Sequence, residues 1–198
     1  NSRVAPAELT SQYLVALNLI SGEKLWEKPV NFSKCENMLY LIHAEGTLIA
    51  SGSDRDKKYH IYAYDVSSPA LRFGVANPEI PELWKKIDAE LDPKKNEKRF
   101  KRYSHHGGHL QHPLVVKQTL FSDWRAFDLR SGNLKNITVP ERRGCGNMAA
   151  SNHSMFYRNH SQTMWDLGSD TKTKFQGSRT GCWLGMIPAQ GLILAPES

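Results

Sequence analysis

The chain has 198 residues, of which 39% are hydrophobic and 23% are charged, and its formal net charge is +6. These proportions are those of a folded globular protein, and they exclude a disordered chain. No stretch approaches the roughly 20 apolar residues that a membrane-spanning helix requires, so we predict no transmembrane segment. The chain begins with Asn1 and has no recognisable signal peptide. We therefore expect a processed product or a fragment.

A short pattern recurs along the chain, with copies that begin at residues 16, 63, 126 and 164. Each copy has alternating small and large apolar residues, which are typical of a β-strand, followed by an Asn or Asp. The Asn or Asp side chain is suited to capping a tight turn, and a following glycine accepts the positive φ that closes a hairpin. The residues expected to fill these structural roles are Asn18, Gly22, Asp65, Asp128, Gly132 and Asp166.

Further short strands are predicted around these copies. A strand follows the first two turns, at residues 24–26 and 71–73. Pairs of strands are predicted at 38–44 with 47–51, 114–116 with 120–122, 148–150 with 155–158, and 186–189 with 192–195. Units of four antiparallel strands that repeat every 40–50 residues, roughly, are typical of β-propeller blades.

The repeat has a family resemblance. Ala-aromatic-Asp-x-x-Ser/Thr-Gly followed by x-x-Leu-Trp resembles the PQQ-like repeat of quinoprotein alcohol dehydrogenases, with the closest match from Leu14 to Trp26. The segment from Arg143 to Pro196 is also similar to the C-terminal part of large PQQ-like propeller proteins of environmental bacteria. The resemblance implies that Trp26 docks neighbouring blades, and it implies a bacterial protein of the periplasm or the cell exterior.

The strand count predicts an all-β fold of three full blades and two half-blades over residues 1–198. The full blades are expected at roughly 37–76, 109–140 and 145–177. Because the family closes rings of seven or eight blades, the resemblance implies an arc whose partners are the remaining blades of a parent protein. In the alternative, the two half-blades pair with each other and close a four-bladed ring.

An insertion at about residues 78–111 separates the second and third copies. Within it, Pro81 to Asp92 is predicted to form one short helix, because proline suits the first turn and apolar residues recur at every fourth position. These apolar residues are Leu83, Ile87 and Leu91.

A basic run overlaps this insertion. From Lys85 to Arg102 there are eight basic and four acidic residues, a net charge of 8 − 4 = +4. Nucleic-acid sites usually interleave aromatic residues and phosphate-binding loops with their charge. We therefore expect a solvated surface here and no nucleic-acid partner.

Four of the eight histidines follow the basic run. Gly107 and Gly108 within the cluster favour a loop, and three interpretations stay open. The loop holds a metal through His106 and His109, it hydrogen-bonds a substrate or caps a blade, or its histidines are incidental polar residues. The candidate ligand-binding histidines are His105, His106, His109 and His112.

Two Arg/Gly/Cys segments, at residues 142–146 and 179–183, are further candidates. The guanidinium groups of Arg143 and Arg179 are suited to binding a carboxylate or sugar oxygens, or alternatively to bonding backbone carbonyls as a structural device. Cys145 and Cys182 could form a disulfide in an oxidising compartment, although only their separation decides this.

The function classes follow from the resemblance. Enzymes of the family hold PQQ with an adjacent Cys-Cys disulfide, a stacking Trp and a bound calcium, whereas this chain has no adjacent cysteines. PQQ with calcium is thus possible but no cofactor is certain. We expect a binding or assembly platform for a protein or carbohydrate ligand that does not itself bind PQQ. The alternative is a quinoprotein-type oxidoreductase whose cofactor residues lie partly outside this segment.

Overall fold

A computed structural model describes residues 12–35, 38–54, 59–72, 78–87, 112–122, 125–140, 142–144, 146–178, 180–181 and 185–196. Within these ranges the chain is all-β, with antiparallel strands arranged in five small sheets. The chain divides into two units, Asn1–Leu110 and Gln111–Ser198, and each is described by itself.

The first unit contains two of the sheets. One is the pair β1 (Gln12–Leu17) and β2 (Lys24–Val30). The other has four strands in chain order, which are β3 (Met38–Ala44), β4 (Thr47–Ser53), β5 (Tyr59–Asp65) and β6 (Glu82–Ile87). Between β5 and β6 the segment Pro69–Arg72 forms a 3-10 turn.

The core of the first unit lies between these two sheets. Leu14 of β1 packs with Tyr62 and Tyr64 of β5. The ring of Phe32 covers them, with its centroid 5.3 Å from that of Tyr62. The other face of the four-stranded sheet is buried too, for example at Ile61. A strand that is buried on both faces has few polar residues in its sequence. Six consecutive residues of β5 are buried, which agrees with this rule.

The second unit contains three sheets. The first has β7 (Leu114–Val116), β8 (Thr119–Ser122) and β9 (Arg125–Asp128), and the second has β10 (Ala149–Ala150), β11 (Ser154–Asn159), β12 (Ser161–Asp166) and β13 (Lys172–Phe175). The third is the pair β14 (Ile187–Ala189) and β15 (Leu192–Leu194). Beside β9, a single bridge from Phe127 to Leu134 takes the place of a fourth strand.

The core of the second unit joins its first two sheets. Phe121 of β8 meets Trp165 of β12 edge to face, with ring centroids 6.2 Å apart. Met155 and Tyr157 of β11 belong to the same cluster. The first strands of the three sheets, β7, β10 and β14, lie side by side in chain order. Consecutive sheets in this unit are therefore neighbours through their first strands.

Three of the four repeat turns share one hydrogen-bond pattern, whereas Asp65 of the second copy accepts the backbone N–H of Ser67 at 2.9 Å. The side-chain oxygen of Asn18 accepts the backbone N–H of Ser21 at 3.0 Å, and Asp128 accepts that of Ser131 at 2.9 Å. Asp166 does the same for Ser169 at 2.8 Å. Four positions after the Asn or Asp, φ is positive in these three copies, at Gly22 (74°), Gly132 (70°) and Asp170 (56°). The fourth copy therefore keeps the turn without glycine.

The predicted strand pairs are present in the described residues, but the predicted helix from Pro81 to Asp92 is wrong. Residues 82–87 form β6, which pairs with β5, and residues 88–92 lie outside the described ranges. The four-residue spacing of the apolar residues was misleading because pairing with β5 determines the local conformation, and cross-strand packing overrides a weak local signal.

The strand predicted at residues 71–73 is also wrong, because Leu71 and Arg72 end the 3-10 turn and Phe73 lies outside the described ranges. The true fourth strand of this sheet comes later. Trp84 lies opposite Ala63, just as Trp26 lies opposite Ala16, and both pairs adjoin a register shift. Glu82-Leu83-Trp84 is thus the second copy of Lys24-Leu25-Trp26, and the first full sheet extends to residue 87 and not to residue 76.

Candidate functional site

The histidine cluster is described at one position. His112 is half-buried, and its Nδ1 lies 2.9 Å from the carbonyl oxygen of Pro113. His105, His106 and His109 lie outside the described residues. Among the residues that are described, no three His, Cys, Asp or Glu side chains are grouped so that they could hold a metal ion.

The first Arg/Gly/Cys segment is held mainly by backbone contacts. The N–H of Arg143 donates to the carbonyl of Arg158 at 3.1 Å, and the carbonyl of Arg143 accepts the N–H of His160 at 2.9 Å. The buried Arg142 donates from Nη1 to the carbonyl of Gly146 at 2.7 Å, which closes the loop. The Arg143 side chain is exposed. Arg179, Cys145 and Cys182 lie outside the described residues.

Two buried donors lie next to this loop, and sequence reasoning missed both. Arg158 and Gln162 are directly opposite each other on β11 and β12, so their side chains share one face of the sheet. Arg158 Nε and Gln162 Nε2 are buried without a hydrogen-bond partner in the described structure. Such donors suit an ordered water or an acceptor oxygen of a ligand. A cross-strand pair of long polar residues beside a hairpin turn was the available sequence signal.

A second polar site lies in the first unit. His60 is only 2% exposed, and its Nε2 lies 3.0 Å from Oδ2 of Asp54. The nearby Cys35 is buried, and burial, assisted by the charge of Asp54, raises the pKa of its thiol to about 12. Because the thiolate is the nucleophilic form, Cys35 is held in its unreactive state. His60 Nδ1 has no hydrogen-bond partner among the described residues, so the thiol and the imidazole do not form a catalytic pair.

Exposed apolar rows lie on the first and the last sheet of the described residues. Tyr13, Val15 and Leu17 alternate along β1, so they share the face that points away from the core. At the other end of the chain, Ile187 and Leu194 lie opposite each other on β14 and β15, next to Leu192. The side chains in both rows are about half exposed or more. Contiguous apolar patches of this kind mark interaction surfaces.

The turn after β1 extends the first of these rows. Leu19 is 99% exposed and Ile20 is 97% exposed. The sequence shows that residues 19 and 20 are apolar, but it does not show that they are exposed. Leu129, which occupies the position of Leu19 in the third copy, is fully buried. We call the exposed residues of β1 and its turn the N-terminal row (Tyr13, Val15, Leu17, Leu19 and Ile20). The exposed residues of β14 and β15 form the C-terminal row (Ile187, Leu192 and Leu194).

Comparison with known proteins gives no match, either to a family model or to a curated protein. No helix in the described ranges has the length and apolar character needed to cross a bilayer. The function is therefore inferred from the packing of the sheets and from the N-terminal and C-terminal rows.

Proposed function

We propose that the five sheets are blades and half-blades of a PQQ-like β-propeller, and that the chain acts as a binding or assembly platform. Three features of the sheets support the blade assignment. The strands of each sheet follow chain order, the turns after Asn18, Asp128 and Asp166 share one capping pattern, and neighbouring sheets within each unit pack face to face. In addition, the Trp26 indole N–H donates to the carbonyl of Leu71 at 2.9 Å, which joins β2 to the 3-10 turn between β5 and β6.

The observation that carries the platform role is the pair of exposed apolar rows. A two-stranded sheet buries one face against its neighbour and leaves the other uncovered, as Leu14 and Val15 show on successive positions of β1. Removing such a surface from water is favourable in proportion to its apolar area. The occupant that fits it is another protein surface, and the repeat resemblance favours a periplasmic or extracellular location.

The experiment measures association of a fluorescently labelled chain with unlabelled chain across a concentration series. The double variant Val15→Lys with Leu194→Lys places a charge in each row and should abolish association. Thr173→Lys with Gln176→Lys is the matched control, because it adds the same two charges at exposed positions outside both rows. Absence of association in the unmodified chain, or equal association by the double variant, contradicts the platform role.

The oxidoreductase alternative is tested in the same preparation. PQQ and Ca²⁺ are added, and the quinone absorbance that stays with the protein after desalting is measured. We expect no retained quinone. Stoichiometric retention would instead identify the chain as part of a quinoprotein enzyme.

A further inference from the structure

Two buried hydrogen-bond donors lie side by side in the four-stranded sheet of β10 to β13. Arg158 of β11 and Gln162 of β12 lie directly opposite each other, so their Cβ atoms are about 4.5–5.5 Å apart on one face of the sheet. Neither Arg158 Nε nor Gln162 Nε2 has a hydrogen-bond partner in the described structure. A buried donor without a partner is costly, and more so when it belongs to a charged group. The pair is therefore suited to receive acceptor atoms from a ligand.

The side chain of Arg158 is positioned by two contacts. Its Nη1 donates to the carbonyl of Thr180, which is a buried residue, at 3.4 Å. It also packs against Gly144, where a Cβ would come within 2.7 Å of Cδ and Nε of Arg158. A larger residue than glycine would therefore displace either the guanidinium or the loop. Because the donor is already held in place, less conformational freedom is lost when a ligand binds.

Gln162 is positioned through its backbone. It lies between Arg158 on β11 and Phe175 on β13, and its N–H donates to the carbonyl of Ser178 at 3.1 Å. Gln162 is only 4% exposed, whereas Arg158 as a whole is half-buried. A ligand therefore approaches from the surface along the arginine and reaches the glutamine at the inner end.

The chemistry of the two donors defines the class of ligand. Both the guanidinium and the carboxamide donate N–H groups, so the ligand presents acceptor oxygens. The bond from Arg158 to the Thr180 carbonyl is longer than an ordinary N–H···O bond, and a carbonyl does not neutralise the positive charge. A carboxylate brings one negative charge and two oxygens in a plane that matches the N–H fork of arginine. A sulfate or phosphate dianion would leave an excess of negative charge at a buried amide.

We propose that Arg158 and Gln162 form a binding site for a carboxylate group, which accepts the Nε–H of Arg158 and an Nε2–H of Gln162. This site is distinct from the one expected at Arg143 and Arg179. It uses no residue of the N-terminal or C-terminal row, so it goes beyond the platform role and does not depend on it. The carboxylate belongs to a free small acid or to an acidic side chain of a bound protein, and both present the same group.

The test follows the arginine Nε–H signals in proton–nitrogen correlation spectra while sodium acetate replaces sodium chloride at constant ionic strength. The signal of Arg158 is identified by its loss in Arg158→Lys. Acetate should shift this signal in a saturable manner. Gln162→Met should weaken acetate binding by about tenfold, because one hydrogen bond to a charged group is lost. This variant should still fold, since methionine has a similar length and needs no hydrogen bond.

Two variants are the matched controls. Gln118→Met makes the same substitution at an exposed position of the same unit, and it should leave acetate binding unchanged. Arg143→Lys keeps the charge of the neighbouring exposed arginine, and it should also leave binding unchanged. The absence of a saturable shift of the Arg158 signal would overturn the site, as would binding that is lost on Arg143→Lys but kept in Gln162→Met.

Two further ligands identify the group and its source. Sulfate at the same ionic strength should shift the Arg158 signal less than acetate does, and an equal or larger shift would overturn the assignment to a carboxylate. A short glutamate peptide with both ends blocked presents carboxylates on side chains. Binding of this peptide more tightly than acetate would support an acidic protein as the source, and binding of acetate alone would support a free acid.

Discussion

Gly46 provides a direct test of how the first hairpin is packed. It has a φ of 68°, and a Cβ at this position would lie 2.7 Å from Cβ of Ser67. The left-handed conformation costs a non-glycine residue roughly 1–2 kcal/mol, and forcing a methyl group into a filled space adds roughly 1–3 kcal/mol. Gly46→Ala is therefore expected to lower the free energy of unfolding by about 2–5 kcal/mol in total.

Gly22→Ala is the matched control for this prediction. Gly22 lies in the same unit and has a similar φ of 74°, but a Cβ at this position would meet nothing within 4 Å. Its substitution should cost only the conformational part, roughly 1–2 kcal/mol. The assay is urea denaturation followed by circular dichroism, with the midpoint and slope of each variant compared. If Gly46→Ala costs no more than Gly22→Ala, the close contact with Ser67 does not exist in solution.

Three further predictions concern single side chains. Asp128→Ala should cost about 1 kcal/mol at neutral pH, because the carboxylate accepts hydrogen bonds from the backbone and hydroxyl of Ser131. These bonds lower the pKa of Asp128 below its ordinary value of 3.8, so its stabilisation is present above that pH. The difference in urea midpoint between wild type and variant should narrow as the pH falls below the pKa of Asp128 in the folded protein, because the carboxylate is then protonated. A difference that does not change with pH would contradict this account. Cys35, whose pKa is raised to about 12 by burial, should react with iodoacetamide at pH 8 only as the fold opens; peptide mass mapping that finds rapid modification in the native state would refute this. Trp26→Phe keeps an aromatic ring but removes the N–H donated to Leu71, and it should lower the free energy of unfolding by about 1 kcal/mol; unchanged thermal stability would show that this bond is unimportant.

The repeat turns were predictable because their conformation is determined within a few residues. Asn18, Asp128 and Asp166 each bond to backbone N–H groups two or three positions later. Such local bonds need no distant partner. Asp170, which the sequence analysis did not single out, adopts a positive φ of 56° at the position that Gly22 and Gly132 occupy in the first and third copies. Asp and Asn tolerate this region better than most residues.

The strand β6 was not predictable in the same way. Leu83 and Ile87 have helical spacing, and their local sequence is compatible with either structure. The pairing of Trp84 with Ala63, which are joined by a long connection, makes this segment a strand. The best sequence signal was Leu83-Trp84 itself, which repeats Leu25-Trp26 of the first copy.

The candidate surfaces show the same division between local and tertiary information. The sequence by itself determined the strands other than β6, the capped turns after Asn18, Asp128 and Asp166, and the two hairpins β1–β2 and β14–β15, because these depend on alternation and on bonds between near neighbours. It did not distinguish the exposed Leu19 from the buried Leu129, or show that Arg158 Nε and Gln162 Nε2 are buried without a partner in the described structure. Burial depends on which sheet covers a side chain. Only the tertiary structure decided this, because the covering residues come from distant parts of the chain.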